Sequence, residues 1–284
     1  MISIIVSSYN KRYFQSFCKS VKDTVGEGIP YEIINIWNPG LMGICSAYNQ
    51  GAVQAKYENL LFIHEDTIFI TKDWGSKLLN LLDDKKIGIV GVAGSAYVPN
   101  VPAFWWGLND ACFYNLIQSD SEDKNVITYR LDKKYGNSRK VYSLDGVFLA
   151  CRKDVYLEFP FSDDLKGFHG YDMDFSLRVS SKYTNIVTGE ILIKHFSYGT
   201  LSQEWFTELI NIRKNYIVPK DQKNNQEYEL KKYGVFIDYL YKYKYPFFWS
   251  INKQLKYLNI RKLGIKGFIK ANIKILKYIK KVAI

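Results

Sequence analysis

The first 66 residues alternate apolar runs with segments of helical pattern, and this alternation limits the possible folds more than any other feature of the sequence. The runs Ile2–Val6, Tyr31–Trp37 and Asn59–His64 are short and mostly apolar, which predicts buried strands. Between them, residues 13–25 and 43–56 predict helices. This strand and helix order is typical of an α/β domain in which helices flank a mostly parallel sheet.

The same pattern continues as far as residue 195. Residues 74–82 predict a helix, and Ile87–Val92 and Val141–Cys151 predict further strands. The polar residues 119–140 predict a hairpin or a mobile loop. Asn185–His195 predicts a strand or hairpin that ends in a histidine.

One pair of acidic residues follows a predicted strand directly. Glu65 and Asp66 come after His64, so their carboxylates should lie at the carboxyl edge of the sheet, where open α/β sheets bind ligands. Carboxylate oxygens are suitable ligands for a hard divalent cation. We therefore expect a site for a metal ion and a phosphorylated substrate here.

A second acidic pair opens a predicted helix. Asp172 and Asp174 lie in its first turn, where the helix dipole stabilises an ionised carboxylate that could act as a base or a ligand. Arg178 stands four residues after Asp174, so a structural ion pair is an equally good interpretation of Asp174.

Positive charge is concentrated at the end of the chain. The net charge is +11, yet residues 1–222 hold 24 Lys and Arg against 25 Asp and Glu, whereas residues 223–284 hold 15 against 3. A neutral body with a cationic tail argues against an enzyme with a basic nucleic-acid cleft. It favours a catalytic domain held at an anionic surface.

The cysteines and the apolar runs indicate the compartment. Cys18, Cys45, Cys112 and Cys151 have neither disulfide-framework nor zinc spacing, which predicts buried thiols in a reducing environment. No targeting segment and no apolar run of membrane-spanning length is evident. We expect a cytoplasmic protein that does not cross the membrane.

The composition changes near residue 220 and becomes rich in lysine and aromatic residues. The last stretch carries apolar residues at spacings of three and four, namely Ile265, Phe268, Ile269, Ile273, Leu276 and Ile279. Lysines occupy the other face, which predicts a cationic amphipathic helix at an anionic membrane surface. The alternative is that the apolar stripe packs on the catalytic domain or in a homodimer.

Taken together, these segments resemble the GT-A (nucleotide-diphospho-sugar transferase) fold of bacterial family 2 glycosyltransferases. The resemblance is to relatives in which an HED-like or HQD-like triplet replaces the usual DxD. It covers about residues 1–215 and rests on six motifs: IIVSSYN, GLMGICSAYNQGAVQA, LLFIHED, LDGVFLACRKDVY, FHGYDMDFSLRV and IKHFS. It implies a catalytic domain over residues 1–220. The tail over residues 221–284 lies outside the resemblance, and its basic, aromatic-rich composition predicts membrane association.

The resemblance also implies a donor site. Ser7, Tyr9 and Asn10 would lie near the base and ribose of a nucleotide-sugar, UDP by default. The same donor site would include Glu65, Asp66, Asp145 and Gly146, with Asp145 on a donor or acceptor hydroxyl.

A metal site is implied beside the donor. Asp66 would be the direct ligand of Mn²⁺ or Mg²⁺, with His64 and His195 as further ligands. The ion would neutralise charge on the leaving diphosphate.

Asp172 matches the family's general base, which would activate the acceptor hydroxyl for direct, inverting attack. Since an ordinary Asp has a pKa near 3.9, proton transfer to it should be late. Trp105, Trp106, His169 and Tyr171 are the acceptor-side candidates, although adjacent tryptophans are more often part of a core.

The expected function is therefore metal-assisted transfer of a sugar to a lipid-linked or cell-surface glycan of capsule, lipopolysaccharide or O-antigen type. Two alternatives stay open. A sugar-phosphate nucleotidyltransferase would normally show a glycine-rich loop after its first strand, and SSYNKRYF has no glycine. The other alternative is a non-enzymatic basic protein that binds membrane or RNA.

Overall fold

The computed structural model describes residues 1–132, 134, 136–199, 201–216 and 218–282. The chain forms two compact units. Unit 1 consists of Met1–Tyr97 and Trp105–Thr200, and unit 2 of Val98–Phe104 and Leu201–Ile284. The functional division at residue 220 stays a prediction.

Unit 1 contains all the strands of the described chain and its first five helices. The strands are β1 (Ile2–Ser8), β2 (Tyr31–Trp37), β3 (Asn59–His64), β4 (Thr67–Phe69), β5 (Ile87–Gly91), β6 (Ala93–Ser95), β7 (Cys112–Tyr114), β8 (Leu116–Gln118), β9 (Ile127–Tyr129), β10 (Ser138–Val141), β11 (Ser143–Leu144), β12 (Phe148–Arg152), β13 (Thr184–Thr188) and β14 (Ile193–His195). The helices are α1 (Lys11–Thr24), α2 (Ile44–Gln54), α3 (Trp74–Asp83), α4 (Lys153–Glu158) and α5 (Tyr171–Val179).

The main sheet has seven strands in the order β10-β13-β5-β12-β3-β1-β2. Strand β1 is parallel to β2 and β3, and β13 is parallel to β5. Strand β12 is antiparallel to both of its neighbours, as β10 is to β13. The predicted α/β class is confirmed, and the sheet is mixed rather than mostly parallel because β12 and β10 reverse direction.

Two smaller sheets take up segments that the sequence pattern assigned differently. One has the order β11-β6-β7 and the other β4-β14-β8-β9. Residues 185–195 do not form one strand or hairpin, since β13 lies in the main sheet and β14 in a smaller one. Residues 119–140, apart from 133 and 135, which lie outside the described residues, likewise contribute β9 and β10 to different sheets.

The core of unit 1 next to the strand ends is an aromatic cluster. Phe161 packs edge-on against Phe62 with ring centroids 4.9 Å apart, and against Phe175 at 4.5 Å. Tyr48 packs against Phe62 at 5.2 Å and meets the edge of Tyr171 at 5.8 Å. Buried rings of this size stabilise the fold strongly and hold the Tyr171 ring in place.

Unit 2 contains α6 (Gln203–Ile212), α7 (Gln226–Lys242), α8 (Phe247–Tyr257) and α9 (Ile260–Val282), the last interrupted at Gly264. The segment Val98–Phe104 is bound into it by polar contacts. The Glu229 carboxylate accepts the Asn100 backbone N–H at 3.0 Å, and Lys232 Nζ donates to the Phe104 carbonyl at 2.9 Å. Both side chains are buried, so this segment is part of the unit's interior.

The cysteines and the helix lengths bear on two predictions made from the sequence. All four cysteines are free, with Cys45, Cys112 and Cys151 buried and Cys18 partly exposed. Within the described ranges, none of the helices combines the length and apolarity that a membrane span requires.

Candidate active site

A cavity of about 210 Å³ opens at the carboxyl ends of β1, β2 and β3. Six of its lining residues were predicted from the sequence, namely Ser7, Tyr9, His64, Glu65, Asp66 and Tyr171. Five others were not: Tyr13, Asn38, Ile44, Tyr48 and Phe168. The cavity is therefore at the sheet edge where the acidic strand end predicted a ligand site.

Three potential metal ligands converge at this edge. Single ligand atoms of His64, Asp66 and His195 all lie within 4.8 Å of one another. Asp66 Oδ1 is 3.4 Å from His195 Nε2 and 4.0 Å from His64 Nδ1. Strand register explains the approach, because β14 pairs with β4 so that His195 lies opposite Thr67.

The buried Nε2 atom of His195 has no hydrogen-bond partner among the described residues. Its other ring nitrogen, Nδ1, lies 3.2 Å from Gln118 Oε1. The Gln118 amide nitrogen donates to the Ser197 carbonyl, which leaves Oε1 to accept from Nδ1–H. With Nδ1 directed to Gln118, Nε2 is the ring nitrogen that faces Asp66, and it is the atom that would bind a metal ion.

His64 is held by the acidic helix. Its Nε2 lies 2.7 Å from the Tyr171 hydroxyl, which leaves Nδ1 on the side of Asp66. Burial lowers the pKa of His64, and the neighbouring His195 lowers it further against the opposing effect of Asp66. A neutral imidazole is the form that binds metals.

Glu65 organises the loop after β1. Its carboxylate accepts the backbone N–H groups of Tyr9 and Asn10, each at 3.0 Å. Burial raises the pKa of Glu65 in spite of these two hydrogen bonds. The side chain of Asn10 caps α1 by accepting from Arg12 N at 3.0 Å. Both side chains thus have structural partners, and their contact with a nucleotide stays a prediction.

Asp172 lies in the first turn of α5, as predicted, and hydrogen bonds to the backbone of another segment. Its Oδ2 accepts from Gly146 N at 3.1 Å and its Oδ1 from Met173 N at 2.9 Å. Burial and the charge of Asp145 together raise the pKa of Asp172 to about 7. The expected stabilisation of the ionised form by the helix dipole is therefore outweighed.

Gly146 brings the segment before β12 against α5. A Cβ at this position would overlap the Tyr171 hydroxyl, so a side chain is excluded as long as Tyr171 contacts His64. Asp145 Oδ1 accepts the Val147 N–H at 2.9 Å, which tightens the same turn. The turn, Asp172 and the metal-ligand cluster are thus connected through Tyr171.

The other predicted residues lie in different surroundings. Trp105 is buried, with its ring centroid 5.3 Å from that of Tyr114 and 5.8 Å from that of Trp106. Asp174 is paired with Arg178 at 2.8 Å, which is the structural alternative. His169 is partly exposed, one residue before the cap of α5. Among the described residues, the lining of the 210 Å³ cavity does not include Trp105, Trp106, His169, Asp172 or Asp174.

Sequence reasoning missed two side-chain amides of the site, those of Asn38 and Gln118. Asn38 is buried, and its side chain bonds Met42 N and O at 3.0 and 2.9 Å and Ser7 Oγ at 3.3 Å. Its position directly after β2 was a usable signal, because β2 ends at the same sheet edge. Gln118 carried no such signal, since it reaches His195 only through the pairing of β8 with β14.

Comparison with known proteins gives the family. A family model described as "Glycosyltransferase like family" matches residues 3–233. The chain belongs to this family. Membership of a glycosyltransferase family favours a transferase enzyme over the non-enzymatic alternative. No curated protein matches this glycosyltransferase.

One solved structure supports the same fold. GalNAc-T7, solved with UDP, GalNAc and Mn²⁺, aligns with a TM-score of 0.50 at 9% identity over 74% of this chain and 47% of its own. The glycosyltransferase described here thus spans about half the length of that protein. Residues 1–349 of Staphylococcus aureus TarS, in complex with UDP, align with a TM-score of 0.49 at 13% identity over 84% of this chain and 70% of that one. The predicted GT-A fold is confirmed.

Proposed function

We propose that this glycosyltransferase transfers a sugar from a nucleotide-sugar, a UDP-sugar in the first instance, to a hydroxyl of a lipid-linked or cell-surface glycan. The reaction inverts the anomeric configuration, and His64-Glu65-Asp66 takes the place of the usual DxD triplet. One observation carries the proposal: the Tyr171 to His64 hydrogen bond of 2.7 Å joins the helix of Asp172 to the strand end of Asp66. Helix α5, which carries the proposed base, therefore contacts the end of β3, next to which the diphosphate of the donor would bind.

The donor set fits a divalent cation. His195 Nε2 is buried without a hydrogen-bond partner in the described chain and faces Asp66 Oδ1 at 3.4 Å. One carboxylate and two imidazoles would favour Mn²⁺ over the harder Mg²⁺. When bound, the ion would neutralise charge that develops on the nucleoside diphosphate. The published complex of GalNAc-T7 with UDP and Mn²⁺ is consistent with this assignment.

Asp172 is suited to take the acceptor proton. A pKa of about 7 makes its carboxylate a far stronger base than an ordinary aspartate, while enough remains ionised at neutral pH. The two backbone hydrogen bonds hold it in one orientation. The sequence alone predicted that the proton would be transferred late. With the raised pKa, Asp172 can take the proton while the acceptor hydroxyl attacks the sugar.

The 210 Å³ cavity is the proposed place for the nucleotide. Tyr9 is exposed at its rim and can offer a ring face to the base, while Ser7 supplies a hydroxyl group that Asn38 orients. Glu65 contributes indirectly, by fixing the loop that carries Tyr9.

The test is a calorimetric screen of UDP-, GDP-, dTDP- and CMP-sugars, each with and without Mn²⁺. We expect one nucleotide class to bind, more tightly with the ion, and NMR of the transferred sugar to show inversion. Donor binding that does not respond to metal would refute the metal-assisted mechanism. Retention of configuration would remove Asp172 as the base for direct attack.

We further propose that unit 2 holds the enzyme at an anionic membrane surface. Helix α8 buries Ser250, Gln254 and Tyr257 and exposes the large apolar residues Phe248 and Leu255, with Phe248 85% exposed. Exposure of these two side chains is unfavourable in water and favourable if they contact lipid.

Helix α9 shows the same feature. It packs through Leu263, Ala271 and Ile275. Four residues of the apolar stripe predicted from the sequence are exposed, namely Ile265, Ile269, Ile273 and Leu276, whereas Phe268 and Ile279 are half-buried. Lysines flank this stripe, and residues 223–284 carry 15 basic against 3 acidic side chains. That charge complements an anionic leaflet, so the occupant we propose is lipid and not a second copy of the chain. Localisation at the cytoplasmic face follows as part of this proposal.

A further inference from the structure

A second cavity, of about 450 Å³, lies between α7 and α9 within unit 2. It is about twice the volume of the proposed nucleotide cavity and shares no residue with it. Its lining from α7 is Ile237, Asp238 and Tyr241, and from α9 it is Lys270, Ile273, Lys274, Lys277, Tyr278 and Lys281. Nothing in the transfer reaction uses these residues.

The charge of this cavity is strongly positive. Lys270, Lys274, Lys277 and Lys281 follow one another at spacings of four, three and four, which places them on one face of α9. A single carboxylate opposes them, and Asp238 Oδ2 is already paired with Lys274 Nζ at 2.7 Å. Among the described residues, Lys270 and Lys277 have no ion pair. Like charges so arranged repel one another, so an anion with several negative oxygens would be bound favourably.

The wall of the cavity is apolar as well. Ile237 and Tyr278 are buried at its base, and the Tyr241 ring lies 5.3 Å from Lys281 Nζ. Ile273 lines the cavity and also belongs to the exposed apolar stripe of α9. A ligand with an anionic head and a hydrocarbon chain could therefore place the head among the lysines and the chain along Ile273.

We propose that this cavity binds the phosphate headgroup of an anionic lipid. The inference rests on the proposed membrane contact of unit 2 and makes it specific, because a defined pocket and not the total charge of the tail would select phosphate-bearing lipids. Lipid bound here would extend along the exposed stripe of α9 and orient the enzyme on the membrane.

The experiment compares two double variants of the full chain that lose the same charge from the same helix. Lys270→Gln with Lys277→Gln alters the cavity, whereas Lys266→Gln with Lys280→Gln alters exposed lysines that do not line it. Calorimetry with soluble dihexanoyl phosphatidic acid should show one site in the wild type. The cavity variant should lose about 30-fold in affinity, since each lysine near an anionic headgroup contributes severalfold. The control variant should stay within a few-fold of wild type.

Several outcomes would overturn the proposal. Equal weakening in both variants would show that only diffuse charge matters, and an unaffected cavity variant would show that the lysines do not bind the headgroup. Inorganic phosphate or a short single-stranded oligonucleotide that binds as tightly as the lipid would identify a free-anion or nucleic-acid site. Melting curves establish that both variants are folded.

Donor binding, measured in the same samples, separates this proposal from the proposed function. Lipid binding without any nucleotide-sugar binding would leave the cavity assigned and refute the donor assignment. Donor binding and transfer to a soluble acceptor without lipid binding would support the proposed function and refute the lipid site.

Discussion

Asp172 owes its chemistry to its neighbours more than to its place on a helix. Burial and the nearby charge of Asp145 raise its pKa to about 7, and Gly146 N and Met173 N fix its carboxylate. The residue beside it, Tyr171, contacts His64 and so links the proposed base to the candidate metal ligands. Single residues in this site therefore have separable roles that substitutions can test.

Asp172→Asn should lower turnover by about 10²- to 10⁴-fold, because the amide cannot accept the acceptor's proton. Donor affinity should change little, since of the described residues Asp172 is not part of the nucleotide cavity lining. Initial rates and calorimetry give the two quantities. Asp174→Asn is the matched control, and it should affect stability through Arg178 while turnover is kept. Undiminished turnover of Asp172→Asn would remove this residue from the mechanism.

Turnover should rise with pH through a midpoint near 7, because only ionised Asp172 acts as a base. Asp145→Asn should move this midpoint to lower pH, since it removes the like charge that raises the pKa. The raised pKa of Asp172 also makes stability depend on pH, in the direction opposite to turnover. An unfolded Asp titrates near 3.9, so between about pH 4 and 7 the folded state binds the proton more tightly and the free energy of unfolding falls as pH rises. Rate profiles and denaturant titrations of the wild type and of Asp172→Asn measure both effects, and a midpoint unmoved by Asp145→Asn contradicts this explanation.

Gln118→Ala should weaken Mn²⁺ binding by about 10- to 100-fold, the usual effect of losing a residue that orients a ligating histidine. The variant frees His195 Nδ1, so the ring can rotate or change tautomer. Electron paramagnetic resonance counts free Mn²⁺ directly, without an activity assay. The exposed Gln54→Ala serves as the control. Equal affinity in both variants would mean that Gln118 does not position His195.

At the scale of elements, the site is built by the small sheet β4-β14-β8-β9 as much as by the main sheet. Strand β3 delivers His64, and the short β4 follows at once and pairs with β14. Strand β8 then pairs in parallel with β14 and sets Gln118 opposite His195. Strand register thus brings His195, a candidate metal ligand, to Asp66, although the two lie more than a hundred residues apart in the sequence.

Gly146→Ala tests the contact between the turn before β12 and helix α5. The new methyl group would meet the Tyr171 hydroxyl, so we expect a loss of about 1–3 kcal/mol in the free energy of unfolding. Gly167→Ala is the control, because a methyl group there has open space and the backbone is not left-handed. Denaturant titration compares the two. Equal stability would show that the turn and α5 can move apart at no cost.

At the scale of the whole molecule, the chain combines an α/β unit with a helical unit that exposes several large apolar side chains. Helices α8 and α9 expose Phe248, Leu255, Ile269 and Leu276, while lysines lie next to them. Exposed apolar side chains and clustered lysines are each unfavourable in water, and both are compatible with contact to a lipid surface that carries negative charge.

Ile269→Asn combined with Leu276→Asn should reduce sedimentation with anionic vesicles at least tenfold, because two exposed side chains would no longer be buried in lipid. Added salt should weaken binding of the wild type as well. Val53→Asn combined with Leu157→Asn is the control, since both residues are exposed apolar positions of unit 1. Equal vesicle binding by the two double variants would refute the proposed orientation of unit 2 at the membrane.

The sequence by itself determined the α/β class and the place of the acidic strand end. Apolar runs of strand length, interrupted by helical patterns, are local signals, and so is the cationic amphipathic pattern of α9. For the same reason Asp66 and Asp172 could be named as candidates without coordinates, because each stands at the end of an element that its own neighbours predict.

Only the tertiary structure decided how these residues act on one another. The pKa of Asp172, the contact of Tyr171 with His64 and the orientation of His195 by Gln118 depend on pairs that are distant in sequence. Burial, charge proximity and strand register arise from packing and leave no local pattern. The exposed stripe of α9 was likewise settled by which face its neighbour α7 covers, a choice that helical periodicity alone does not make.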